Sequence, residues 1–560
     1  MSLLKKPAIA KPLRLAPRGG VGVSAARPRQ VEKLAPCAMY CPAGNDIRGI
    51  AALIAQREKT GLSLEEACDR AWRLAVETTP FPAVLGRICA HPCESRCNRK
   101  AKDSAVAINS LERFVGDWGL MRRLKLPGYD GGASPGAQVA VIGAGPAGMS
   151  CAYQLVRRGY RVTVFESLPQ AGGMLRYGIP PHRLPRRVLD DEIHRIVDLG
   201  VELRCATPIG TAISLDEVHR DFAAVFLSIG AHVGRRLDVV GAEGTGVYLG
   251  ADFLRRVAIG ERPQLGNKIV VVGGGNTAID AARLCVRLLG AGAEIALLRQ
   301  ENETISNELM GAVQERVRVE LLATVASIER ATSGCITKVV AQRVDLGAPD
   351  ASAYPALQPV SGGTFDIEAD TLILAVGQRP DFRSLGRAFG KITSLDVDAS
   401  GKTRFTGMWS GGDAVRSGTA AAAIAQGRRA ALAIHAQLSG ETVQESPHRP
   451  DIGPERLKLD YYETKPRAER KTVPVADRVA DLSIEIDQGI EPAQALCEAT
   501  RCLSCGRCFG CERCWMFCTP ADIAKLPAVA TGSYFRIKNE ACDGCKKCAE
   551  ECPSGFLEMA

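Results

Sequence analysis

Val139-Ala-Val-Ile-Gly143-Ala-Gly-Pro-Ala-Gly148 decides the fold. Four apolar residues form a buried-strand pattern, and Gly143, Gly145 and Gly148 follow at once as G-x-G-x-x-G. Glycines at this spacing let the backbone turn tightly and approach a pyrophosphate, which then rests on a helix N-terminus. The next strand pattern, Val162-Thr-Val-Phe, ends in Glu166. A carboxylate there can hold both ribose hydroxyls of an adenosine. In this order the elements read as a dinucleotide site rather than as an idle tight turn.

Toward the C-terminus the same punctuation recurs at Ile269-Val-Val-Val272 and Gly273-Gly-Gly-Asn-Thr-Ala278. Gly273, Gly275 and Ala278 repeat the fingerprint, with Asn276 and Thr277 opening the helix. Two such units imply two nucleotide-binding α/β domains. The second unit's next strand, Ile295 to Leu298, ends in Arg299-Gln300 instead of an acid. Arg299 can meet a 2′-phosphate, which favours NADP, or stack on adenine, or lie solvated. A third apolar strand, Thr371 to Val376, leads into Gly377-Gln-Arg-Pro380. Trp409-Ser-Gly-Gly-Asp413 comes next, and Gly418-Thr419 then opens an Ala-rich helix to about Leu438. Gly412 and Asp413 at a strand end can bind a ribityl chain, with the helix dipole near an isoalloxazine edge. Alone, Asp413 reads as an N-cap; with the other pieces in order, flavin is favoured.

The chain carries 21 cysteines. Cys508, Cys511, Cys514, Cys518 and Cys542, Cys545, Cys548, Cys552 each fit C-x2-C-x2-C-x3-C, the spacing of a bacterial ferredoxin with two 4Fe–4S clusters. The fourth cysteine of each run crosses to the other cluster. One set is therefore Cys508, Cys511, Cys514 and Cys552, the other Cys518, Cys542, Cys545 and Cys548. One irregularity is that Thr519 separates Cys518 from the proline. Cys37, Cys41, Cys89, Cys93 and Cys97 flank helix-like sequence (Ile50 to Arg57, Ser63 to Glu77), which indicates a small helical domain built around metal. Zinc is the alternative occupant for such thiolates. Cys502 and Cys505 fall outside both ferredoxin runs. Cys68, Cys151, Cys205, Cys285, Cys335 and Cys497 fit no cluster pattern, and most read as small buried hydrophobes.

At 560 residues, 24% charged and 46% apolar, the chain reads as soluble, globular and multi-domain. Part of the net charge of +9 comes from Lys5, Lys6, Lys11, Arg14, Arg18, Arg27, Arg29 and Lys33, which face only Glu32. This basic stretch is a solvated tail or an arm for an acidic partner. Nothing argues for nucleic acid. No apolar run follows the N-terminal charges and none approaches the ~20 residues of a membrane span. Leaderless and thiolate-rich, the chain is expected in the cytoplasm.

The expected divisions are a basic flexible tail (1–36), a helical Fe–S domain (37–130), a first FAD-binding part (131–265) and an NAD(P)-binding domain (266–374). A second FAD-binding part (375–440), a linker (441–500) and the C-x2-C element with its ferredoxin (501–560) complete the chain. Gly128 to Gly136 and Ser446 to Arg467 have linker composition, and Pro492 to Thr500 reads as a short helix. The fold class is multi-domain α/β: helical Fe–S domain, two Rossmann-like domains of the disulfide-reductase type, and an α+β ferredoxin.

At this point a family resemblance is specific. Cys41-Pro-Ala-Gly-Asn-Asp-Ile47, Gly86-Arg-Ile-Cys-Ala-His-Pro-Cys-Glu94, Gly172-Gly-Met-Leu-Arg-Tyr-Gly-Ile-Pro180, Arg183-Leu-Pro185, Gly273 to Asp280 and Gly411-Gly-Asp413 carry it. The chain resembles the small (β) subunit of bacterial glutamate synthase and the N-terminal half of dihydropyrimidine dehydrogenase. The resemblance implies FAD at the first site, with Gly173 and Arg183 in its motifs, NAD(P)H at the second, and two N-terminal 4Fe–4S clusters. It also implies a non-cysteine cluster ligand at Glu112. Relatives usually show two arginines after the NADP strand, where this chain has Arg299-Gln300. They also usually begin with a C-x2-C that is missing here, and Cys502-Leu-Ser-Cys505 looks like that element moved. The expected sets are Cys41, Cys89, Cys93 and Glu112, and Cys37, Cys97, Cys502 and Cys505, with Cys497 competing for the Glu112 role.

These parts imply electrons passing between NAD(P)H and a partner through FAD and four 4Fe–4S clusters. The partner would be a catalytic oxidoreductase subunit or a ferredoxin-type protein in a hetero-oligomer. The alternatives are a self-sufficient reductase of ferric iron or a quinone-like acceptor, and a non-catalytic Fe–S scaffold.

Overall fold

The structure is a computed structural model that describes residues 24–131, 136–301, 306–349, 355–386, 389–390, 392–442 and 449–560. Helices Ile47–Ala55, Leu64–Val76, Pro82–Ile88 and Ile108–Met121 form the N-terminal domain. Ser63 starts the second with a capping box: its hydroxyl accepts from Glu66 N (3.1 Å), and the Glu66 carboxylate accepts from Ser63 N (2.9 Å). The third and fourth helices cross closely through glycine. A Cβ on Gly86 would lie 2.3 Å from Arg113 Cα, and one on Gly116 would lie 2.3 Å from Ala83 N. The buried Glu192 carboxylate, from the following domain, accepts from Ala83 N (2.8 Å) and Val84 N (3.0 Å) and so caps the Pro82–Ile88 helix.

Two parallel five-stranded sheets follow. The first runs Met408–Ser410, Ala224–Leu227, Gln138–Ile142, Arg161–Phe165, Glu202–Arg204. Its inner strands are largely apolar because helices cover the sheet, whereas the edge strand Glu202–Arg204 is charged and mostly exposed. Helices Pro146–Val156 and Ala420–Ser439 pack so tightly that a Cβ on Gly427 would meet Ala147 O at 2.1 Å. The second sheet runs Arg318–Leu321, Glu294–Arg299, Lys268–Val272, Thr371–Leu374, Val247–Leu249. An antiparallel meander, Ala323–Arg330, Ile336–Pro349 and Pro355–Glu368, packs on it. The short antiparallel pair Val233–Gly234 and Gln378–Arg379 joins the two units where the chain leaves and re-enters the first.

Three expected boundaries differ. The strand Val247–Leu249 and the helix Gly250–Ala258 belong to the second unit, so the first FAD-binding part ends before residue 265. The basic tail is not flexible to residue 36: Pro28–Gln30 pairs antiparallel with Leu557–Met559, and Lys33 is buried with its Nζ on Gly555 O. The earlier part of that tail, 1–23, lies outside the described residues, as do 132–135 and 443–448 of the two linkers. The rest of the 441–500 segment is bound to its neighbours: Lys458 N donates to Pro553 O (3.1 Å) at the ferredoxin, Arg478 meets Glu315 (3.0 Å) on the second unit, and the stretch between them lies on the N-terminal domain. Arg467 donates to the Glu94 carboxylate and to Ala105 O (3.0 Å), and Arg470 to Ser110 Oγ (2.8 Å). Helix Pro492–Arg501 then delivers Cys502.

Candidate functional site: a flavin-sized cavity beside four thiol sets

A cavity of about 470 Å³ opens at the C-terminal ends of the first sheet's strands. Gly143, Gly145, Glu166, Gly173, Arg183, Gly412, Asp413, Gly418 and Thr419 line it, with Asn276 and Thr277 from the second unit. The glycines divide the work. Gly143 has φ +103° and its Cβ would strike Ser228 O at 2.3 Å. A Cβ on Gly148 would strike Gly143 O at 1.9 Å, so helix and strand pack in direct contact. Gly145 has only Gly173 Cα, at 4.0 Å, before it: this is the open cradle a pyrophosphate requires. Glu166 is buried, with Oε2 accepting from Ala144 N (2.8 Å) and Oε1 from Leu168 N (2.9 Å). Asp413 Oδ1 accepts from Gly418 N (3.0 Å), and burial pushes its carboxyl up. The 20-residue helix that begins at Ala420 points its N-terminus at the cavity.

The second loop repeats the geometry. Gly273 sits at φ +150° against Ala375 O (2.4 Å from a built Cβ), Gly275 faces open space, and Ala278 packs beneath. Arg299 is buried and tied to Glu301 (2.7 Å), and a Cβ on Gly274 would lie 2.6 Å from the Glu301 carboxylate. Glu301 thus occupies the approach to Arg299, which sequence reasoning missed. Gly377 does not line the flavin-sized cavity. Its carbonyl accepts from Arg235 N (2.9 Å) at the joint between the units, with φ +110°.

The fold brings the cysteines singled out by spacing near one another. Burial pushes the Cys37 thiol up, reinforced by neighbouring Cys502, Cys505 and Cys97. The thiols of Cys502 and Cys505 are pushed up to about 11 and about 12, mainly by burial, with Cys97 among the neighbours of each. Cys41, Cys89 and Cys93 each feel Glu112, whose carboxyl burial raises to about 7. Glu112 Oε1 accepts from Asn45 Nδ2 (2.8 Å) and Oε2 from Asn109 Nδ2 (3.3 Å). Cys508, Cys511, Cys514 and Cys552 line one further cavity; Cys518, Cys542, Cys545 and Cys548 line another. Among the described residues no three such side chains converge on a single-ion point. Backbone N–H groups reach several sulfurs: Asn45 N to Cys41 (3.4 Å), His91 N to Cys89 (3.3 Å), Asp522 N to Cys518 (3.2 Å). Such bonds tune cluster potentials.

Cys68, Cys151 and Cys285 are buried, as apolar context suggested, whereas Cys335 and Cys497 are exposed. Ile88 and Ala90, the chain neighbours of Cys89, line the flavin-sized cavity.

Residues 137–427 match the pyridine nucleotide-disulphide oxidoreductase family, just over half of the chain. The chain belongs to that family. Residues 23–124 match dihydropyrimidine dehydrogenase domain II, a 4Fe–4S cluster domain. The chain is 36% identical to the NADP(+)-dependent formate dehydrogenase subunit beta of Moorella thermoacetica, over 84% of this chain and 70% of that one. It is 34% identical to the NADPH-Fe(3+) oxidoreductase subunit beta of Geobacter sulfurreducens, over 84% and 75%. With the glutamate synthase [NADPH] small chain of Escherichia coli it shares 31% identity, over 64% and 81%. It is an NAD(P)H-dependent iron–sulfur flavoprotein oxidoreductase. Among the described residues no helix is long and apolar enough to cross a membrane.

Proposed function

We propose that this chain is the electron-transferring subunit of a larger cytoplasmic oxidoreductase, holding FAD in the 470 Å³ cavity and four 4Fe–4S clusters in the four thiol sets. The observation that carries the reading is the lining of that cavity: the FAD-type glycine loop, Asn276 and Thr277 of the second unit, and the two neighbours of Cys89 share one space. Bound there, FAD would supply hydride acceptance from NAD(P)H and the clusters would supply single-electron transfer. The protein supplies position. Gly145 and Gly275 would leave room for the two pyrophosphates, Glu166 would hold the ribose, and Asp413 with the Thr419-capped helix would hold the flavin. Glu112, held by Asn45 and Asn109, would complete the set that includes Cys89.

The ferredoxin is fixed, not tethered. Tyr534 OH donates to Gln56 Oε1 (2.6 Å), Lys59 Nζ to Phe509 O (2.9 Å), and Arg48 Nη1 to Cys505 O (2.5 Å). These bonds join the N-terminal domain to the far end of the chain, so the thiol sets keep constant separations. A partner then meets the ferredoxin end; a catalytic subunit in a hetero-oligomer is favoured because the similar proteins named above include beta subunits and a small chain. A second reading, reduction of ferric iron, is favoured only by the name of the Geobacter sulfurreducens relative. The test is anaerobic NAD(P)H reduction of the holoprotein followed by viologen dye. Cys89→Ala is expected to leave flavin bleaching intact and to cut dye reduction at least tenfold. Equal dye reduction would sink the proposed route.

A further inference from the structure

We propose that the cleft between the iron–sulfur helices, the turn at His182 and the second nucleotide unit binds a small polyanion carrying phosphate or carboxylate groups. The cleft encloses about 460 Å³, within the range of small-molecule sites. His182, Arg183, Arg283, Arg470 and Arg478 face it from segments far apart in sequence.

His182 is fully buried, and among the described residues neither Nδ1 nor Nε2 has a hydrogen-bond partner. A neutral imidazole carries one donor and one acceptor, and buried groups of this kind are normally satisfied. Burial, then Arg287, Arg283, Arg183 and Arg186, hold the ring neutral. The imidazole therefore offers an unmet N–H beside a group of guanidinium ions.

The carboxylates around it are unevenly shared. Glu315 alone serves Arg283 (2.6 Å), Arg287 (2.8 Å) and Arg478 (3.0 Å). Arg183 has Asp280 at 2.7 Å and Glu308 at 3.3 Å. Arg186 donates to the carbonyls of Leu175 (3.2 Å) and Ile179 (2.8 Å). Of these guanidinium groups Arg183, Arg283 and Arg478 line the cleft and Arg186 and Arg287 lie behind it, against Glu315, Asp280 and Glu308, with Asp190 near Arg186 and Glu469 also on the cleft wall. Under-compensated buried charge is costly, and an oxyanion in the cleft would relieve it. At the outer wall Arg467 pairs with Glu94 and Arg470 with Asp487, so the three-way sharing of Glu315 lies at the His182 end.

The site touches all three flanking units, and Arg183 is the wall it shares with the flavin-sized cavity. The test uses the holoprotein with FAD and iron bound. Inorganic phosphate, pyrophosphate and succinate are titrated against sodium chloride at matched ionic strength, with the thermal midpoint and calorimetric binding as readouts. At least one probe is expected to bind saturably, at least tenfold more weakly to His182→Phe and Arg478→Met, and unchanged to Arg299→Gln. Three results overturn the proposal: no probe exceeding sodium chloride, equal binding in both cleft variants, or loss in Arg299→Gln, which would put the anion at the dinucleotide loop. If His182→Phe loses FAD or iron, Arg478→Met and His182→Gln decide.

Discussion

Gly86→Ala is a one-methyl test of how the fold places its thiols. The added Cβ would lie 2.3 Å from Arg113 Cα and 2.6 Å from Arg113 N. Carbon pairs rest at about 3.5–4.0 Å, so the two helices must part by at least about 1.2 Å. The obstacle is backbone, and no side chain can rotate away. Overpacking of this kind costs ~1–3 kcal/mol, of which better helix propensity offsets ~1 kcal/mol. The protein should therefore still fold. The positional consequence is larger: Cys89 ends one helix and Glu112 lies on the other, while metal–ligand distances tolerate only about 0.2 Å. We expect Gly86→Ala to retain FAD but to lose about a quarter of its iron and one low-temperature EPR signal. Full iron content with an unchanged spectrum would refute the reasoning that this helix crossing sets the cluster geometry.

Glu301→Gln should free Arg299 and raise the NADPH-over-NADH preference in kcat/KM about tenfold, the worth of one charge-assisted hydrogen bond; an unchanged ratio would show that Arg299 does not meet the 2′-phosphate. Glu166→Ala should lower FAD retained after desalting at least tenfold, with Glu166→Gln intermediate because it keeps an acceptor for Ala144 or Leu168 N–H; full retention in the alanine variant would remove Glu166 from the site. Arg501→Met strands Glu498, whose side chain is fully buried, at a cost of about 3–5 kcal/mol. Because Arg501 also holds Asp103 (2.9 Å) and the Ala105 carbonyl (3.1 Å), it anchors the helix before Cys502, and the calorimetric transition of the N-terminal domain should fall; a shift under about 1 °C would count against the anchoring.

Much of this architecture is legible locally. The strands at Val139, Val162, Ile269 and Thr371 are continuous apolar runs, and the glycines mark the turns between strand and helix. The thiol sets follow from cysteine spacing together with a family resemblance. What stayed hidden depends on distant partners. Val247–Leu249 is a three-residue, half-buried edge strand with no periodic signal of its own. Pro28–Gln30 holds a proline and becomes a strand only because Leu557–Met559 offers it an edge. Asn45 and Asn109 look like ordinary polar residues until the fold brings both to Glu112. Glu301 lies two residues past the strand end that sequence patterns inspect, and only the return of its side chain over Gly274 brings it into play.

The central claim is that Cys502 and Cys505 complete a cluster with Cys37 and Cys97, locking the ferredoxin to the N-terminal domain. The most direct measurement is iron content and low-temperature EPR of Cys97→Ala and Cys502→Ala, reduced with dithionite and compared side by side. The account predicts that both variants lose the same single cluster, leaving superimposable residual spectra with the two ferredoxin signals intact. Different residual spectra, with Cys502→Ala disturbing a ferredoxin signal and Cys97→Ala sparing it, would contradict it.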